Sequence, residues 1–221
     1  MKPLTLPASL LATAALLAAC SQQPAAPAAE APVVAAATGE PAADLAAQPA
    51  DAFLERIRSH CGQAFAGRIV ADEPPPSGDD PFTGKALFMH VRGCEAGELR
   101  IPFHVGEDRS RTWILTRTDA GLRLKHDHRH EDGTPDATTM YGGDTASAGS
   151  ELRQAFPVDA ESIALFEAEG RTVSTTNTWA MEIEPGQRFL YELSRPGGRM
   201  FQVEFDLTAP IEPPPAPWGH E

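Results

Sequence analysis

Three histidines at alternate positions stand out in the run Leu122-Arg123-Leu124-Lys125-His126-Asp127-His128-Arg129-His130-Glu131. Neutral imidazoles two apart on a strand share a face, so His126 and His128 could give nitrogens to one zinc or similar borderline metal. Such a site needs a further ligand, and His104, His90, Tyr141 or a carboxylate from another strand are the candidates. Alternatively, His126, His128 and His130 line a pocket for an acidic or aromatic small molecule, with Tyr141 closing over its mouth. A third reading makes them semi-buried packing groups, hydrogen-bonded to acids or backbone carbonyls.

All three readings depend on the direction of the side chains. Leu122 and Leu124 share the parity of the histidines, whereas Arg123, Lys125, Asp127, Arg129 and Glu131 take the other. Strand alternation therefore sends the imidazoles inward and leaves the charges on a wet face. The following segment, Glu131 to Asp136, carries three acids and a glycine but lacks the ligand alternation and distal Glu of an EF-hand loop. It reads as a polar turn.

The elements around this strand follow from the same periodicity. Asp51 to Cys61 has apolar residues Phe53, Leu54 and Ile57 at helical spacing, with Asp51 as candidate cap. From Phe65 the period becomes two. Glu73 to Pro81 is a proline-rich loop, and the rows Leu87-Met89-Val91 and Leu99-Ile101-Phe103-Val105 follow it. Trp113 and Leu115 open a strand that turns back at Asp119-Ala120-Gly121. Asp159 caps a short helix to Phe166. The rows Trp179-Met181-Ile183, Phe189-Tyr191-Leu193 and Phe201-Val203-Phe205-Leu207 are separated by Pro185-Gly186 and Arg195-Pro196-Gly197-Gly198. The expected fold is mainly β: an antiparallel barrel or sandwich of about eight or nine strands over residues 51–209, with an N-terminal and a short internal helix. Its plan is similar to the calycin-like ligand-binding barrels, a likeness of architecture only. Residues 210–221 are a proline-rich coat or tail, with Trp218 as a possible plug.

The N-terminus reads as an address. Lys2 precedes a mainly Ala/Leu stretch from Leu4 to Leu17 that is short of the roughly 20 residues of a membrane span. It ends in Leu17-Ala18-Ala19-Cys20, which resembles the lipobox of bacterial lipoproteins. That resemblance implies a signal peptide over residues 1–19, removed before Cys20, and lipidation of Cys20. With Ser21 rather than Asp next, it further implies an outer-membrane anchor facing the periplasm. Residues 20–50 then form an Ala/Pro-rich tether that has too little apolar surface to offset its ordering entropy. Cys61 and Cys94, the two cysteines left, are expected to pair in an exported chain.

The chain has 221 residues and a net charge of −13, of which −11 belongs to residues 51–221. Nucleic acid is therefore excluded as the main partner, since phosphates need clustered bases. The sequence contains no nucleophile elbow, His-Glu-x-x-His, Walker A loop or dinucleotide fingerprint. The expectation is a non-enzymatic lipoprotein that is held to the membrane by its lipid and binds a small ligand or an envelope protein. The alternatives are a metal-binding protein or metal-dependent enzyme, with zinc as the candidate cofactor, and a purely structural envelope protein.

Overall fold

The computed structural model describes residues 48–78 and 80–220. The signal peptide, the lipobox with Cys20 and nearly all of the tether lie outside the described residues. No described helix is long and apolar enough to cross a membrane.

Helix α1 (Pro49–Arg58) begins inside the stretch expected to be tether. Pro49 sits in its first turn, where a missing N–H costs nothing. Asp51 is not the cap: Gln48 holds that position with no side-chain cap bond. Asp51 lies instead in the first turn, where a carboxylate suits the helix dipole, and its oxygen is 2.6 Å from Arg117 Nε.

The strands are β1 (Ala64–Glu73), β2 (Leu87–His90), β3 (Gly93–Glu95), β4 (Glu98–Val105), β5 (Asp108–Thr118), β6 (Gly121–His128), β7 (Tyr141–Asp144) and β8 (Arg153–Pro157). After helix α2 (Ala160–Ala168) and a 3-10 turn (Thr172–Thr176) come β9 (Thr178–Glu184), β10 (Arg188–Arg195) and β11 (Arg199–Ile211). Every pairing is antiparallel, in the order β7-β6-β5-β4-β2-β1-β11-β10-β9-β8, with β3 added beside β4. The result is one nearly closed, barrel-like sheet. Its eleven strands exceed the expected eight or nine because β3, β7 and β8 are short and carry little apolar alternation. β11 also runs past the expected domain end, since Pro210 and Ile211 still pair with Phe65 and Ala64.

The seam between β7 and β8 is closed by atoms other than a strand ladder. Gly142 N donates to Ser162 Oγ at 2.8 Å, and Asp159 N donates to Gly142 O at 3.0 Å. Asp159 caps α2 by accepting from Ser162 N at 2.8 Å, as its position predicted. A Cβ on Gly142 would stand 1.8 Å from Leu124 O, and one on Gly143 1.8 Å from Pro157 O. Only glycine lets β7 pass so close to both neighbours.

The barrel interior is filled by large side chains, among them Phe65, Phe103, Trp113, Phe156, Trp179, Phe189 and Phe205, all at most 2 % exposed. Phe53, Leu54 and Ile57 of α1 join this core. Their helix lies where the β5–β6 and β3–β4 turns gather: Arg117 holds Asp51, and Arg58 Nη2 donates to Glu95 O at 3.1 Å. The disulfide between Cys61 and Cys94 ties the end of this helical segment to β3. One end of the barrel is thus stoppered by α1, and the strand ends at the other are where an opening can form.

The outer face of β6 is not the wet face that its charges suggested. Lys125 is buried beneath α2, with Nζ 2.9 Å from Asp159 and 3.1 Å from Glu161. Asp127 is buried between Arg129 Nε, 3.0 Å away, and His220 Nε2, 2.6 Å away. His220 arrives on the C-terminal segment, which lies along the outside of the barrel. Trp218 N donates to Arg109 O at 3.1 Å, and Arg109 Nη1 donates to Ala216 O at 2.8 Å. The tail is therefore a coat on the strands, and Trp218 does not plug the mouth.

Candidate functional site

At the end opposite α1 the core gives way to a cavity of about 250 Å³. Its deep wall is aromatic. Trp113 and Tyr191 stack with centroids 4.4 Å apart, and Phe103 stacks on Trp113 at 4.9 Å. Tyr141 lies almost parallel to His126, centroids 4.7 Å apart and planes 12° apart, with Trp179 5.0 Å from the same imidazole.

Strand register explains which polar groups reach this space. On β6 the inward row is Leu122, Leu124, His126, His128; the first three are buried, and both histidines line the cavity. Their partners across β5 are Trp113 for His126 and Arg111 for His128. His126 also faces Tyr141 across β7. The sequence placed His126, His128 and Tyr141 at one pocket, and the fold brings them together, with Tyr141 in the wall against His126, Phe166 and Trp179 and not closed over the mouth.

His130 does not join them. β6 ends at His128, and the chain folds into a turn in which His130 N donates to Thr134 O and Gly133 N to His130 O, both at 2.9 Å. The His130 side chain is 58 % exposed and points toward Asp136, 4.0 Å away. In the same turn Asp132 Oδ1 accepts from Thr134 N and Thr134 Oγ1, the polar turn that was expected.

The two interior imidazoles are neutral at ordinary pH. Burial pushes His126 down to about 3. Burial, and then the nearby Arg111 guanidinium, push His128 down to about 4. Burial raises Tyr141 to about 12 and moves Tyr191 well above its ordinary range, so both phenols keep their protons.

Both nitrogens of His126 are already engaged. Nδ1 lies 3.2 Å from Tyr141 O, which can only accept, so Nδ1 carries the proton. Nε2 therefore accepts from Tyr191 Oη, 2.9 Å away. His128 Nε2 is 3.2 Å from Tyr141 Oη. These bonds leave the pair poorly placed as metal ligands, and no group of three or more His, Cys, Asp or Glu among the described residues is arranged to hold a metal. His104 is buried away from the inward row of β4, with Nε2 lacking a partner among the described residues. Burial, followed by Arg109, lowers it to about 4.

Four arginines complete the lining: Arg111, Arg171, Arg195 and Arg199. None was singled out from the sequence, though the signal was present. Arg111 continues the inward row of Leu115 and Trp113. Arg195 continues Phe189, Tyr191 and Leu193, and Arg199 precedes Phe201, Val203 and Phe205 at the same parity. Three apolar rows thus end in arginine at one rim, and reading only apolar alternation stops one residue short of each.

Compared with known proteins, the chain matches no family model, no curated protein and no solved structure.

Proposed function

We propose that this chain is a lipid-anchored protein of the bacterial outer membrane, and that its barrel-like domain takes up a small molecule at its open end without catalysing a reaction on it. The anchor rests on the lipobox-like Leu17-Ala18-Ala19-Cys20 and the Ala/Pro-rich stretch behind it. The ligand reading is carried by one observation: a core otherwise closed by tight aromatic packing retains a cavity of about 250 Å³, walled by rings and edged with polar groups. Binding sites are typically concave, largely apolar and furnished with a few convergent polar groups. With both nitrogens of His126 engaged, His128 and Tyr141 are the hydrogen-bonding groups left for a guest, and the described residues place no activated nucleophile beside them.

The test fills the space. 1-Anilinonaphthalene-8-sulfonate added to the full-length protein is expected to bind with a fluorescence increase. Ser174→Trp, at the rim of the cavity, should abolish that increase while circular dichroism stays unchanged. Equal dye response in the variant, or none in either protein, would leave a structural barrel.

A further inference from the structure

We infer that the guest of this cavity is a small organic anion, a planar apolar body bearing a carboxylate, with the body held between the aromatic walls and the carboxylate held by Arg195 and Arg171 at the rim. The inference rests on the pocket reading above and specifies what enters it.

The first support is charge. Residues 51–221 carry a net −11, yet among the described residues the cavity lining has four arginines and no carboxylate. Two of the four are compensated from outside the lining. Arg111 Nη1 lies 2.6 Å from Asp108, and Arg199 pairs with Asp72. Two further described acids, Asp80 and Asp136, accept from Thr83 N at 2.8 Å and Thr138 N at 2.7 Å, and neither forms an ion pair with Arg195 or Arg171. Arg195 and Arg171 form no ion pair with any described residue.

Arg195 is the more informative of the two. Its guanidinium is half-buried, and Nε donates to the neutral amide oxygen of Asn177, a buried residue. Burial, and then the neighbouring Arg199, depress its pKa from the ordinary value. A half-buried guanidinium held by a neutral amide beside a second cation gains most from an anion, and its planar fork suits a carboxylate. Arg171, exposed at the end of α2, lies on the same rim.

The second support is shape. Five aromatic side chains, Trp113, Tyr191, Tyr141, Trp179 and Phe166, border one space. Flat rings favour a flat guest through offset stacking. At about 250 Å³ the space lies at the small end of ligand pockets, so the guest is compact. Deeper in, neutral His128 and Tyr141 offer hydrogen bonds and no charge, leaving the rim as the place for the anion.

The experiment is isothermal titration of the full-length protein with 2-naphthoate, with 2-naphthalenemethanol as its neutral counterpart, and with decanoate. The naphthoate should bind at least tenfold more tightly than the alcohol and more tightly than decanoate. Arg195→Gln and, separately, the exposed Arg171→Gln should weaken naphthoate binding severalfold to tenfold and leave the alcohol unchanged. Arg68→Gln, outside the cavity, should change nothing. Equal binding of acid and alcohol, or naphthoate binding that survives both arginine substitutions, overturns the anion assignment and leaves the pocket reading standing. Decanoate binding as tightly as naphthoate overturns the planar body. Failure of all three compounds to bind, together with no dye response, overturns both readings.

Discussion

Acidification from pH 7.0 to 5.5 should weaken the fold by an amount that two buried histidines set. In an unfolded chain an imidazole takes up its proton near pH 6.5. In the folded barrel burial holds His126 to about 3 and His104 to about 4. Between those limits the unfolded chain binds more protons than the folded one, so stability falls as pH falls and is fully present only above about pH 6.5. Between pH 7.0 and 5.5 each such group costs the fold about 1.2 kcal/mol, and the two together about 2.5 kcal/mol. His128 adds a smaller increment in the same direction, because its residue is partly exposed. Asp108, Asp127 and Asp159, all lowered from their ordinary values, stabilise above about pH 4, so they contribute little to this window. The assay is urea unfolding followed by tryptophan fluorescence at the two pH values. His126→Phe and His104→Phe should each remove about 1.2 kcal/mol of the pH-induced loss, whatever their stability at pH 7.0. A wild-type loss below about 1 kcal/mol, or an equal loss in wild type and both variants, would refute the claim that these rings are buried and neutral.

Other perturbations test other parts. Replacing Cys61 and Cys94 by serine should lower stability by about 3–4 kcal/mol, the loop-closure value for residues 33 apart, and unchanged urea midpoints would contradict it. Gly143→Ala should cost about 1–3 kcal/mol or more, since its Cβ meets Pro157 O at 1.8 Å; a variant as stable as wild type would show that the seam can relax. Asp159→Ala should cost at least about 0.5–2 kcal/mol, since it removes both the cap of α2 and the nearest acid to buried Lys125, and Asp159→Asn, which can still cap, should restore part of it. Cys20→Ser should move the protein from the membrane to the soluble fraction of cells, and unaltered fractionation would remove the lipid anchor.

Much of the fold was legible because its rows are long. Phe201 to Leu207, Leu99 to Val105 and Trp179 to Ile183 each alternate without interruption, and each is a strand with that face buried. Asp159 at the head of α2 and the Cys61–Cys94 bond were readable from local chemistry and from cysteine count. β7 and β8 were not, because Tyr-Gly-Gly-Asp carries no alternation and Arg-Gln-Ala-Phe-Pro is brief and ends in proline. The histidine row held as far as the strand held, and His130 left it where the Arg129–Pro135 bridge closes a turn. Burial of Lys125 and Asp127 depends on α2 and the C-terminal segment folding back over β6, a long-range event that no local pattern encodes. The rim arginines were hidden differently: each lies on the right parity, but charge at a strand end ordinarily means solvent.

The most direct test of the central claim is the crystal structure of the full-length protein soaked with 6-bromo-2-naphthoate, read from the anomalous signal of bromine. The account predicts one bromine peak inside the barrel, among Trp113, Tyr191 and Trp179, with the carboxylate turned outward onto Arg195. A peak only on the outer face of the strands, or a bound acid whose carboxylate points inward to His128 and away from the arginines, would contradict it.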